Sequence, residues 1–159
     1  KSTTASVATV STASSVAASS AASVTNRNAE LQERINAIAK EDLSPARWSQ
    51  QYCSSNIGFC IPIHKNWWFK SFGATSSSLW HVEVNNAPID AIGTGPIIIN
   101  VFSGTVESKK AIDGQVRVQG DTVVGFRSWT ENRHFEIEAP RELEGVVQYI
   151  TKNLTGYQG

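Results

Sequence analysis

The chain has 159 residues, of which 40% are hydrophobic and 9% aromatic. This length allows one domain with a substantial core and excludes two sizeable ones. The 14 basic residues balance the 14 acidic residues, so no net field attracts phosphates, and nucleic acid is not expected as a partner. No apolar run reaches about 18 residues, so no membrane-spanning segment is predicted.

Residues 1–25 form a low-complexity tract that contains only Ala, Ser, Thr and Val after Lys1. Hydroxyl side chains compete for backbone hydrogen bonds, and the tract has no large side chain to bury, so we expect a tether. It is similar to the Ser/Thr/Ala-rich spacers that hold bacterial lipoproteins and surface proteins away from their membrane. A flexible leader without an anchoring role is the alternative. Residues 26–159 are predicted to form a single α+β domain.

The chain contains no methionine, so we expect a processed product or a piece excised from a longer chain. Any targeting segment or lipid anchor before Lys1 would then be unseen. The membrane is accordingly expected as a partner only through such an N-terminal anchor.

Cys53 and Cys60 are the two cysteines of the chain. The even count, and Gly58 between them, favour one disulfide, as in an exported protein. Two reduced, buried cysteines in a cytosolic protein are the alternative. A metal site at these cysteines is not expected, because the pair lacks C-x-x-C spacing and a second pair.

Two amphipathic helices are predicted near the ends of the domain. The first is capped by Asn26 or Asn28 and ends near Lys40. The last covers residues 141–154, where apolar residues recur at helical spacing behind Pro140. Helices packed on a sheet are favoured over helices that bind a partner.

Strands are predicted between these helices, most of them from alternating apolar and polar residues. The strand at 97–102 is instead predicted from a continuous apolar run, which suits a central strand covered on both faces. Gly120 and Asp121 are expected to form the turn of a tight hairpin. The predicted strands are 59–64, 79–84, 97–102, 115–119, 122–129 and 133–139.

Histidine and glutamate share strand faces in two H-x-E patterns. His81 is followed by Glu83, and His134 by Glu136 and Glu138. If the two patterns met, they could hold a divalent metal, so a small metal-dependent or hydrolytic enzyme is an alternative function. Dispersed pairs instead favour solvated outer strand faces. We therefore assign no catalytic residue, metal or cofactor.

Other catalytic patterns are weaker. The sequence has no G-x-S-x-G. Ser103 with His134 and Asp121 would be a poor hydrolytic triad, and Glu136 with Glu138 a poor glycosidase pair. An enzyme is not expected.

Aromatic residues concentrate in the segment after the first predicted strand. Trp67, Trp68 and Trp80 are candidate ligand-binding residues, since they could line an apolar groove for a small ligand, glycan or peptide. Adjacent strand residues point to opposite faces, so at least one of Trp67 and Trp68 is expected in the core.

The segment from Phe59 to Trp67, with its Pro-x-x-x-x-Trp spacing, and the closing strand and helix from Arg133 to Leu154 resemble the PsbP-like fold, which includes the bacterial lipoprotein DcrB. The resemblance covers roughly residues 57–154. It implies an antiparallel β-sheet flanked by N-terminal and C-terminal helices, an α/β/α sandwich. It also implies an assembly factor or binding module, with no catalytic residue to carry over. The cysteine pair and the double tryptophan depart from this pattern.

The sequence thus predicts an exported, tethered, non-catalytic accessory or binding protein of the cell envelope, located in the periplasm or at the cell surface. Its expected partner is an envelope protein or a small ligand. The alternatives are the small enzyme built on His81 and His134, and a ligand-binding module with an aromatic groove.

Overall fold

The computed structural model describes residues 28–158, and the tether predicted for residues 1–25 lies outside them. From Arg34 onward the described residues form one compact unit. Within the described part, no helix has the length and apolar character needed to cross a bilayer.

The described residues are mostly antiparallel strands with two α-helices, so the α+β class is confirmed. Asn28 caps the first helix, because its Oδ1 accepts a hydrogen bond from the Leu31 amide at 2.7 Å. The helices are α1 (Ala29–Ala39) and α2 (Glu144–Asn153), and the strands are β1 (Gln50–Ser54), β2 (Phe59–Ile63), β3 (Trp68–Gly73), β4 (Trp80–Asn85), β5 (Ile97–Ser103), β6 (Val116–Gln119), β7 (Thr122–Trp129), β8 (Arg133–Pro140) and β9 (Thr155–Gly156).

Six strands form the larger sheet, in the order β3-β4-β5-β8-β7-β6. Every neighbouring pair is antiparallel. The hairpin of β6 and β7 lies at one end, and β8 returns between β5 and β7. Strand β3 is therefore one edge of this sheet and β6 is the other.

One face of the larger sheet, called the inner face here, is covered by α2 and by β2. Ile99 and Val101 of β5 and Ile137 of β8 point to this face and are buried. Phe59 of β2 packs edge-to-face on Phe135 of β8, with ring centroids 4.8 Å apart. Burial of these aliphatic and aromatic side chains is the main apolar stabilisation of the fold.

The smaller sheet has the order β1-β2-β9 and carries the disulfide. Cys53 and Cys60 are direct cross-strand partners in the hairpin of β1 and β2, and their sulfurs are bonded. The predicted pairing is confirmed. Closing a loop of this length contributes about 2 to 3 kcal/mol in the chain-entropy account.

The opposite, outer face of the larger sheet is approached by two loops, residues 86–96 and 104–115. Val106 and Ala111 of the second loop form a buried cluster with Val124 and Phe126 of β7. Among the described contacts, α2 lies on the inner face while these loops lie on the outer face. A sandwich with helices on both faces stays a prediction.

Gly125 of β7 lets α2 approach the inner face closely. A Cβ at this position would overlap the Oγ1 of Thr151 and lie 3.0 Å from its Cβ. We predict that Gly125→Ala lowers the free energy of unfolding by about 1 to 3 kcal/mol, because the helix must shift. Urea denaturation measures this loss.

Gly145→Ala in α2 is the matched control. The added Cβ would meet the flexible end of the Leu43 side chain at 3.3 Å. Alanine also favours a helix over glycine by up to about 1 kcal/mol, so this variant is expected to be at least as stable as the parent. Equal stability of the Gly125→Ala variant and the parent would contradict the packing argument.

Candidate functional site

Both H-x-E patterns lie on the outer face of the larger sheet. The strand register places Asn100 of β5 between His81 of β4 and Glu136 of β8. Two strand spacings, about 10 Å at the backbone, separate His81 from Glu136. Within residues 28–158, no group of three or more His, Cys, Asp or Glu side chains could hold a metal ion. The patterns share a face but have no common centre.

Glu83 is fully buried, with 0% of its surface exposed. Its Oε2 accepts hydrogen bonds from the Gly93 amide at 2.7 Å and from His81 Nε2 at 2.7 Å, and its Oε1 accepts one from the Gly95 amide at 2.8 Å. An added Cβ at Gly95 would lie 2.8 Å from the Glu83 Cβ. The carboxylate therefore anchors the 86–96 loop at a position that requires glycine.

His134 anchors the second loop in a similar way. Its side chain is only 2% exposed. Its Nδ1 lies 2.8 Å from the Gly104 carbonyl oxygen, and its Nε2 lies 2.8 Å from Glu136 Oε2. Both neighbours are acceptors, so one hydrogen must lie on Nδ1 and another between Nε2 and the carboxylate. Lys109 of the same loop reaches Glu136 at 3.6 Å.

The prediction that these side chains are solvated is wrong for Glu83 and His134, because the loops bury them. His81 is also engaged at both ring nitrogens, by Glu83 and by Asn100 Oδ1 at 2.7 Å. In this arrangement neither imidazole presents a nitrogen without a contact. The H-x-E patterns serve as loop anchors.

His64, which the sequence patterns did not single out, belongs to the interior. Its Nε2 lies 2.9 Å from the Asp42 carbonyl oxygen, and its Nδ1 accepts a hydrogen bond from the Asn66 amide at 3.1 Å. Its ring stacks on Trp67 with centroids 4.6 Å apart. Trp48 packs edge-on against Trp67 at 5.4 Å. No regular alternation marks this cluster, so only the three-dimensional fold reveals it.

The three candidate tryptophans occupy different environments. Trp67 is 3% exposed and Trp68 is 49% exposed, which confirms that one of the two lies in the core. Trp80 points to the inner face, where its Nε1 donates to the Tyr52 hydroxyl at 3.0 Å. The structure brings Trp67 and Trp68 to one surface feature and places Trp80 elsewhere.

That feature is a depression of about 460 Å³ at the turn between β2 and β3. The Gln50 amide nitrogen fixes the turn by donating to the carbonyl oxygens of His64 at 2.9 Å and Trp67 at 3.1 Å. No described residue accepts a hydrogen bond from the buried Nε1 of Trp67. We call this feature the aromatic corner; it is lined by Gln50, Lys65, Asn66, Trp67, Trp68 and Phe69.

A second depression of about 510 Å³ lies beside α2. Arg127 borders it, but its guanidinium donates to the carbonyl oxygens of Thr151 at 2.6 Å and Leu154 at 3.2 Å. It thereby satisfies carbonyl groups at the end of the helix. This arginine is engaged by the fold itself, so the aromatic corner is the better candidate for a binding site.

Glu138 is a further unusual group on the outer face. Its cross-strand neighbours are Ile98 and Val124. Burial, and secondly the negative charge of Glu136, raise the pKa of its carboxyl group above the ordinary value of 4.5. The H-x-E-x-E spacing indicated its face, but its environment depends on the cross-strand register.

No protein-family model, curated protein or solved structure matches this chain. The function proposed below therefore depends on the chain's own residues.

We predict that Glu83→Gln lowers the free energy of unfolding by about 2 to 3 kcal/mol. Each carboxylate oxygen of Glu83 accepts a hydrogen bond from a glycine N–H. Whichever oxygen the amide nitrogen of Gln replaces, two N–H donors then face each other and that hydrogen bond is lost. Urea denaturation measures the loss. Glu138→Gln makes the same chemical change on the same face and is the control. Equal effects of the two substitutions would contradict the anchoring role of Glu83.

The raised pKa of Glu138 also predicts a pH dependence. A carboxyl group whose pKa is higher in the folded than in the unfolded state destabilises the fold as it ionises. Glu138→Gln should therefore raise Tm at pH 7, and this gain should shrink as the pH falls through the raised pKa of Glu138 towards 4.5, below which the carboxyl group is protonated in both states. Thermal unfolding followed by circular dichroism tests it, and a gain that is constant with pH would exclude this cause.

Proposed function

We propose that this chain is a non-catalytic accessory or binding protein that works outside the cytoplasm, and that its ligand or partner contacts the aromatic corner. The observation that carries the proposal is Trp68, whose large apolar side chain is half-exposed beside a depression. Exposed aromatic residues next to a concave surface are typical of binding sites, since they supply contact area at low entropic cost.

The disulfide supports the extracytoplasmic location. Cytosolic thiols are kept reduced, whereas exported proteins retain such bonds. The Ser/Ala/Thr/Val tract of residues 1–25 supports a tether to the cell envelope, through an anchor before Lys1. Two free thiols at Cys53 and Cys60, in protein recovered from an oxidising compartment, would remove the chemical basis for export.

The engagement of the histidines supports a non-catalytic role. General acid–base catalysis requires a side chain that can exchange a proton with a substrate. His134 instead holds the 104–115 loop through Gly104, and His81 is bonded to Glu83, which holds the 86–96 loop.

We also propose a PsbP-like relationship, including helices on both sides of the sheet. The order of elements supports it: helix α1, then antiparallel strands, then β8, which leads through one short 3-10 helix (Arg141–Leu143) into α2. In that group an accessory or assembly role is usual, which agrees with the function proposed for the aromatic corner. A determined structure of the full chain with no helix on the outer face would contradict the sandwich.

The function is tested by the indole N–H signals of the five tryptophans in ¹H–¹⁵N spectra. Short acidic peptides, short basic peptides and chitin oligosaccharides are added separately as probes. We expect at least one probe to shift the Trp68 signal. Trp68→Ala should weaken the binding of that probe by about 10-fold or more, as for an aromatic anchor.

Leu79→Ala is the matched control, because Leu79 is also an exposed apolar residue. It lies just before the first residue of β4, whereas Trp68 pairs with the last residue of that strand. The control variant should leave probe binding unchanged. Shifts in the same spectra that centre on the backbone amide signals of His81 or His134, with none at Trp68, would overturn the assignment of the site.

A further inference from the structure

The two edges of the larger sheet differ in what they present. Strand β6 has four residues, whereas β3 has six, with the sequence WFKSFG. Three of the six side chains are aromatic: Trp68, Phe69 and Phe72. An edge strand offers a row of N–H and C=O groups to another chain, and long apolar edges are the ones most open to pairing.

The first part of β3 is regular enough to pair with an added strand. Its register with β4 is continuous from Trp68 to Ser71 and becomes irregular between Ser71 and Gly73. Strand β1 touches β3 from the inner side, where Tyr52 meets the Phe69 ring at 5.4 Å and its hydroxyl lies 3.1 Å from Ser71 Oγ. In the described part of the chain, no strand pairs with the free edge of β3, which is the edge away from β4.

The aromatic corner lies at the start of this edge. A peptide that adds a strand gains affinity from main-chain hydrogen bonds and specificity from pockets that receive some of its side chains. Trp68 and Phe69 belong both to the strand and to the wall of the depression. The depression can therefore receive an apolar side chain of a peptide that is paired with β3.

The charges at this edge are positive. Residues 64–73 include the exposed Lys65 and Lys70 and no acidic residue. Glu83, the cross-strand partner of Lys70, is buried and bonded to the 86–96 loop. Glu41, near the turn, is contacted by Asn66 Nδ2 at 3.4 Å. Charge complementarity thus favours an acidic partner.

We infer that the free edge of β3 binds an extended, acidic peptide segment of a partner protein as an added strand, with one apolar side chain in the aromatic corner. This inference deepens the proposed function and depends on it. It specifies the partner as polypeptide and the mode of binding as strand addition.

The probe is a short, end-blocked peptide in which glutamate alternates with valine and phenylalanine. Binding is measured by isothermal titration calorimetry. Two isomers carry N-methyl groups on alternate amides, one set on each edge of the extended peptide. We expect one isomer to lose about 10-fold or more in affinity and the other to keep it, because only one edge of an added strand pairs with β3.

Lys70→Glu tests the charge preference. It should lower the affinity for the glutamate peptide by about 5-fold and raise the affinity for the corresponding lysine peptide. Lys152→Glu, which reverses an exposed charge on α2, is the matched control and should leave both affinities unchanged.

Equal affinity of both N-methyl isomers would overturn strand addition. If Trp68→Ala still weakened binding in that case, the aromatic corner would remain a binding site, and the proposed function would stand. No binding of the glutamate peptide, with concentration-dependent dimerisation that Trp68→Ala abolishes, would instead identify a second copy of this chain as the occupant of the edge.

Discussion

The buried carboxylate of Glu83 is the interaction on which the outer face of the sheet depends. An ionised group removed from water is strongly unfavourable unless other groups compensate it. Here two glycine amides and one imidazole surround the carboxylate within 2.8 Å. The compensation fixes the 86–96 loop on the sheet, engages His81, and excludes a side chain at Gly95. The buried carboxylate of Glu83 therefore determines the position of the loop, the hydrogen bonding of His81 and the need for glycine at position 95.

The second pair, His134 and Glu136, repeats this solution on β8. It joins the sheet to Gly104, and Lys109 adds a charge contact from the same loop. Histidine is a common catalytic residue, but both of these imidazoles act within the fold. At the β3 edge, by contrast, the half-exposed side chain of Trp68 lies beside a depression. The proposed docking function depends on this contrast.

Local patterns predicted much of the fold. Alternation indicated β8, a continuous apolar run indicated β5, and helical spacing indicated α2. Asn26 or Asn28 was expected as the helix cap, and the two cysteines were expected to pair. Strands β1 and β3 were missed, because QQYCS is mostly polar and WFKSFG does not alternate cleanly. The burial of Glu83 depends on amides 10 and 12 residues further along the chain, and Trp80 meets Tyr52 across 28 residues. Such contacts follow from tertiary packing, and the spacing of residues along the chain does not reveal them.

Residue-resolved amide hydrogen exchange on the unliganded protein tests the central claim most directly, namely that the outer-face loop is anchored while the β3 edge is open. The account predicts that the Gly93 and Gly95 amides exchange as slowly as those of the central strands. It also predicts that alternate amides of residues 68–71, on the side away from β4, exchange rapidly. Rapid exchange at both glycines, or uniform protection along β3, would contradict it.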